Sequence, residues 1–385
     1  MEEQQIKAQR YQLYDRCGYR ILVASYAVKL TAEEVQERLA RLLASQISTK
    51  SIFAVIENRT CIRKETEKSL YEFIETTSSV HAWIKKEIET HPFDPFVGPL
   101  FRCCYNPNGR LVLMAHPLVA DAPALVALAK AMVMDDVLTD SDTFHPWPVM
   151  NKLPLLQSLK LHKIPAITCD FPQGPEHLQE IKVRSFSVDA TTIFSLCSKE
   201  RISVLSFFIC IALSLNQGLR MKFSIPLSLR ESDDTSLADL SPTFRFVRGF
   251  DHKITFYDNC RGIDRILARA FPSKQYLLRS TELSLPSLSV CADPTCSKET
   301  KTLFLDDFLI DRVSDFEIEK PFNSLEYYTS SSYVRNSFGI TGNGDSLTIS
   351  TIVHDKVGDS LVSSYQKTLG VVSKGMQPAM SKGKR

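Results

Sequence analysis

The stretch from Leu111 to Ala122 (Leu-Val-Leu-Met-Ala-His-Pro-Leu-Val-Ala-Asp-Ala) leaves the chain few local choices. It reads as an apolar strand that delivers His116, a short turn through Pro117 that ends in Asp121, and a helix from about Pro123 to Met134. The segment before it completes a hairpin, Leu100–Tyr105 against Arg110–His116, turning at Asn106-Pro107-Asn108-Gly109, all turn formers. Consecutive strand residues point to opposite faces, so His116 and position 117 do not present to one cavity unless a bulge at Pro117 re-aims the ring. A carboxylate at the start of a helix satisfies free backbone N–H groups, which gives Asp121 a structural role.

A chain of 385 residues, 44% hydrophobic, is long enough for one large or two medium domains with their own cores. Lys plus Arg number 46 against 44 for Asp plus Glu, a net charge of +2, and no long basic run lies in the body of the chain. The electrostatic footprint of a nucleic-acid binder is therefore missing. The N-terminus is polar and acidic without the apolar core of a signal peptide. The most apolar segment, Ile202 to Leu215, falls short of the roughly 20 residues that a membrane span needs and reads as a buried helix. The expectation is a soluble, cytoplasmic protein with no membrane span. Its ten cysteines show no metal-ligand pattern, since Cys291 and Cys296 lack a second pair and Cys103 and Cys104 point to opposite faces of a strand.

Along the chain, Tyr19 to Leu30 reads as a strand. A helix follows, opened by the Thr31/Glu34 capping box and striped by Val35, Leu39, Leu42 and Leu43. Ser51 to Glu57 reads as a strand, and Val80, Trp83, Ile84 and Ile88 mark a second amphipathic helix. Pro165, Pro172, Gly174 and Pro175 signal a linker. The expected organisation is a first lobe over 1–163, a linker over 164–181, a second lobe over 182–372 and a disordered basic tail over 373–385. In the second lobe, Asp189 reads as the N-cap of a helix to about Lys199, the helix from Ile202 to about Gln217 follows, and Met221 to Leu227 is a strand. Gly342-Asn343-Gly344 between Arg335–Thr341 and Ser346–Val353 is a hairpin signal.

The strand–His–turn–Asp–helix unit resembles the HHxxxDG active-site signature of the condensation-domain and chloramphenicol-acetyltransferase superfamily of acyltransferases. In register, His116 takes the first His position, Pro117 the second, Asp121 the Asp position and Ala122 the Gly position. Three further segments are similar to the family. Pro92-Phe93-Asp94 with Gly98-Pro99-Leu100-Phe101-Arg102 matches its PFD…GPLFR lead-in. Pro226-Leu227-Ser228-Leu229-Arg230 matches its P-x-x-L-R segment, and Phe338-Gly339 is the remnant of its DFGWG. The second half looks like the alcohol-acyltransferase and polyketide-associated acyltransferase branch.

This resemblance implies an α/β, two-lobed chloramphenicol-acetyltransferase-like fold, with mixed sheets flanked by helices and a tunnel at the lobe junction. It implies an acyl-CoA or acyl-carrier-protein thioester as co-substrate, a small-molecule hydroxyl or amine acceptor, a carrier protein as partner and no metal. It further implies that the second His is the general base and that Asp121 pairs with Arg230 to hold the turn.

The departure at Pro117 governs function. Proline neither accepts nor donates a proton, and a positioned general base contributes about 10²–10⁴-fold. Either His116 substitutes as the base, or His116 hydrogen-bonds its own loop and the chain is a catalytically impaired relative acting as a binding or scaffold protein. His354 with Asp359 repeats the His-to-Asp spacing by coincidence, and His145-Pro146-Trp147-Pro148 reads as a connecting loop. No G-x-S-x-G elbow, Walker A loop, Rossmann glycine pattern or HExxH occurs, so hydrolase, nucleotide-binding and zinc-protease readings lack support.

Overall fold

The structure is a computed structural model, and it describes residues 3–6, 18–56, 60–134, 136–140, 181–215, 220–231, 233–273, 306–312, 321–331, 334–353 and 356–374. The first half contributes β1 (Glu3–Ile6), β2 (Tyr19–Tyr26), α1 (Ala32–Leu43), β3 (Ser51–Ile56), β4 (Thr60–Glu65), β5 (Glu72–Glu75), α2 (Val80–Thr90), β6 (Phe101–Asn106), β7 (Arg110–Ala115) and α3 (Ala122–Met134). The second contributes β8 (Lys182–Asp189), α4 (Ala190–Glu200), α5 (Val204–Leu215), β9 (Arg220–Pro226), β10 (Thr243–Gly249) and α6 (Phe256–Ser273). It continues with β11 (Asp306–Arg312), β12 (Phe322–Ser330), β13 (Val334–Asn343), β14 (Ser346–Val353) and α7 (Lys356–Val372).

Local chemistry sets the element ends. The Thr31 hydroxyl accepts from the Glu34 N–H and the Glu34 carboxylate accepts from the Thr31 N–H, so α1 opens with a complete capping box. Asp189 caps α4 through the Thr192 N–H at 2.6 Å. The first strand ends at Tyr26, earlier than the Leu30 expected: its pairing with β7 stops at Ser25, the Ala27 N–H adds a last bond to the Pro321 carbonyl beside β12, and the chain then turns out to solvent. The late hairpin also shifts: Asn343 is still paired with Ser346, so β13 runs through Asn343 and the turn falls on Gly344 and Asp345. Gly344 takes φ +62°, a conformation that favours glycine.

A five-stranded mixed sheet in the order β12-β2-β7-β6-β5 organises the first core, and a six-stranded mixed sheet, β10-β9-β11-β13-β14-β8, organises the second. Strands β1, β4 and β3 form a separate antiparallel sheet. Helices α1 and α3 pack together, and α3 covers β2. Helix α5 is buried along most of its length within the second core, as its all-round apolar sequence requires.

The two halves exchange material. Strand β12, encoded deep in the second half, pairs antiparallel with β2 and forms an edge of the first sheet. It does so while crossing β13 closely enough that a Cβ on Gly339 would lie 1.8 Å from the Tyr327 carbonyl oxygen. Glycine at 339 is what permits this backbone approach. The expected linker over 164–181 lies outside the described residues except for Ile181, which is buried in the first core. Most of the expected basic tail likewise falls outside the described residues.

Candidate functional site

The motif turn is built from the end of β7. The His116 N–H donates to the Leu100 carbonyl at 2.9 Å, extending the β6–β7 pairing by one step, and the His116 carbonyl then accepts from the Val119 N–H at 2.9 Å to close the turn. The imidazole folds back on this turn, with Nδ1 accepting the Leu118 N–H at 3.2 Å. That bond places the proton of a neutral ring on Nε2. The ring stands edge-on to Phe93 with centroids 5.9 Å apart, and His116 is 0% exposed. Pro117, Leu118, Val119 and Ala120 are buried with it.

Phe93 explains why the PFD and GPLFR segments occur together. Its ring is also covered by the Arg102 guanidinium, 4.5 Å from the centroid, and by Tyr19 at 5.1 Å. Arg102 in turn is held by Glu72 at 2.7 Å and by the His91 carbonyl at 2.5 Å. The lead-in segment therefore forms the floor under the histidine.

Asp121 joins the motif turn to the second half. Its Oδ1 accepts from the Ala124 N–H at 3.0 Å, which caps α3, and from Arg230 Nη2 at 2.9 Å and Nε at 3.0 Å. Its Oδ2 accepts from the Leu240 N–H at 3.0 Å and the Ser241 hydroxyl at 2.8 Å. The Asp121 N–H donates to the Ala238 carbonyl at 3.2 Å, the same carbonyl that Arg230 Nη2 reaches at 2.5 Å. Asp121 and Arg230, the pair implied by the resemblance, are thus in direct contact, with side chains 2% and 6% exposed.

The loop between β9 and β10 that supplies these donors grips the first half at further points. Leu237 donates to Gln46 Oε1 at 2.8 Å and accepts from the Ser48 hydroxyl at 2.6 Å, and the Thr235 N–H donates to the Thr139 hydroxyl at 3.2 Å.

Four more buried residues with polar side-chain groups share this seam, and sequence reasoning missed them. Arg20 on β2 lies opposite Ala115 and donates to the Thr329 hydroxyl on β12. Asp311 on β11 accepts from the Tyr327 hydroxyl at 2.8 Å. Burial pushes the Asp311 carboxyl above its ordinary range despite the opposing pull of Arg20 and the hydrogen bond from Tyr327. The alternation Leu325, Tyr327, Thr329 against Glu326, Tyr328, Ser330 was the available signal, but both faces of β12 are half polar and neither marks a core.

The other candidates do not join this site. Asp359 pairs with Arg184 at 2.7 Å, whereas His354 and His145 lie outside the described residues. Cys103 and Cys104 are buried, and burial raises both thiols, Cys104 to about 12, so neither is a reactive thiolate. No group of three or more His, Cys, Asp or Glu among the described residues is placed to hold a metal ion. No described helix is long and apolar enough to cross a membrane.

No known family profile matches the chain, and no curated protein matches its sequence. Solved structures do match. The condensation domain of the monacolin K polyketide synthase MokA superposes with a TM-score of 0.62 at 12% identity, over 99% of each chain. Polyketide synthase associated protein 5 from Mycobacterium tuberculosis gives 0.65 at 10% identity, covering 96% of this chain and 97% of that one. The starter condensation domain of rhizomide synthetase RzmA, solved as a mutant in complex with C8-CoA and Leu-SNAC, gives 0.63 at 12% identity over 97% and 94%. The chain has the α/β fold of condensation domains along essentially its whole length.

Proposed function

We propose that this chain is a condensation-fold binding protein for acyl thioesters whose motif turn braces the two halves instead of serving as a general base. One observation carries the reading: the His116 ring is wholly buried, with Nδ1 bonded to its own turn, next to a proline where the resemblance implies the base. Transfer of an acyl group from a coenzyme A or carrier-protein thioester to a hydroxyl or amine needs a group that takes the acceptor proton. Pro117 has no such group, and Asp121 spends both oxygens on Arg230 and the loop that follows it. The ligand class rests on the resemblance and on the C8-CoA complex of the RzmA domain.

A second reading, active acyl transfer, has one observation in its favour. Asp311 is a buried seam carboxyl raised above its ordinary range, a direction of shift common among carboxyls that transfer protons.

Equilibrium dialysis with octanoyl-CoA tests the binding half of the proposal. The expected result is saturable binding that octanoate and coenzyme A, added separately, compete for only weakly. Retention no greater than for an unrelated protein of equal concentration would overturn it.

A further inference from the structure

A cleft of about 610 Å³ opens on the first half of the molecule, at the opposite end of the sheet from the motif turn. Ser25 at the end of β2, Thr77, Ser78 and His81 around the start of α2, and Asn108 and Arg110 from the β6–β7 turn form its wall. Strands β2 and β7 pair Arg20 with Ala115 at the motif end and Ser25 with Arg110 at this end. Five residues at about 3.3 Å each put the cleft about 17 Å from the motif turn.

The lining is unlike an acyl pocket. Small-molecule sites are mostly apolar with a few polar groups, but here, among the described residues, Val80 is the only apolar residue of the wall and no carboxylate lines it. Among the described residues, the side chains of Ser25, Thr77, Ser78, Asn108 and Arg110 form no hydrogen bond or ion pair with the protein. His81 differs: its Nε2 lies 2.6 Å from the Tyr328 hydroxyl, 3.3 Å from the Ser185 hydroxyl and 3.6 Å from the Glu326 carboxylate behind the wall, which fixes this wall against the second half. An apolar ligand would desolvate the free hydroxyls, the amide and the guanidinium with nothing in return.

The geometry points to a binding site for a phosphate monoester of a small hydrophilic molecule, with Arg110 on the phosphate and Ser25, Thr77, Ser78 and Asn108 on the ester body. A guanidinium meets phosphate oxygens through parallel N–H donors, and among the described residues of the wall none brings a carboxylate to Arg110. The site stands apart from the motif turn and does not depend on how that turn is read.

Phosphorus-31 NMR of sn-glycerol 3-phosphate titrated with the full chain tests it. Wild type is expected to broaden the resonance saturably, and glycerol is expected not to compete. Arg110→Gln is expected to weaken binding about tenfold or more, the cost of one charged hydrogen-bond partner. Arg220→Gln, at an exposed arginine on β9, is expected to bind like wild type. Asn108→Ala provides a second variant within the cleft and is expected to weaken binding by a smaller factor. Wild type that leaves the resonance sharp, or broadening that is equal in Arg110→Gln and wild type, would overturn the assignment.

Discussion

Replacing Asp121 with alanine is expected to lower the stability of the folded chain by about 3–5 kcal/mol, the usual cost of removing one member of a buried ion pair. The loss is large because several donors are stranded together. Arg230 would keep a guanidinium that is 6% exposed and has lost its closer carboxylate, with only Asp234 left at 3.4 Å. The N–H groups of Ala124 and Leu240 and the Ser241 hydroxyl would lose the same acceptor. Asp121→Asn retains a carbonyl acceptor and is expected to cost less than alanine. Chemical denaturation followed by circular dichroism at pH 7 checks the order wild type, then asparagine, then alanine. An alanine variant with an unchanged midpoint would remove Asp121 from the brace.

Gly339→Ala is expected to destabilise by about 3 kcal/mol or more, at or beyond the upper end of ordinary overpacking. The added Cβ would stand 1.8 Å from a backbone oxygen and 2.8 Å from the carbonyl carbon of Tyr327, so no side-chain rotation relieves it. Strand β12 would have to move, and with it both the ladder to β2 and the hydrogen bond from the Tyr327 hydroxyl to Asp311. Gly370 supplies the control. It lies on the exposed face of α7 with nothing within 4 Å of an added Cβ. Alanine there is expected to be neutral or to stabilise by up to about 1 kcal/mol. Thermal melts of the two variants side by side check the contrast. Equal melting temperatures would mean that β12 does not cross β13 as closely as the structure has it.

What the sequence displayed and what it hid divide by range. The capping box at Thr31, the Asp189 cap and the β6–β7 hairpin each depend on residues a few positions apart, and all were readable. Strand β7, the turn and α3 followed from the change of apolar period around His116. Asp121 was legible as a helix-start carboxylate because its bond to the Ala124 N–H is local. Its bonds to Leu240 and Ser241, more than a hundred residues away, left no local trace. Arg230 was reached only through the family resemblance.

The exchange of β12 was invisible for a related reason. A strand that joins a foreign sheet at its edge, with tyrosines and small polar residues on both faces, carries no alternation to assign it to either core. Gly339 could be read only as half of a worn motif. Its physical role, the crossing of two backbones, requires the position of Tyr327.

The most direct test of the account is thiol release from octanoyl-CoA in the presence of a hydroxyl or amine acceptor, measured for wild type and His116→Ala together. With Pro117 at the base position and the buried His116 ring bonded through Nδ1 to its own turn, both are expected to release thiol at the protein-free rate. Wild-type release above that rate which is lost in Asp311→Asn would instead favour acyl transfer with the base on β11. Wild-type release that falls by about 10²-fold or more in His116→Ala would contradict the account, because it would make His116 the working base.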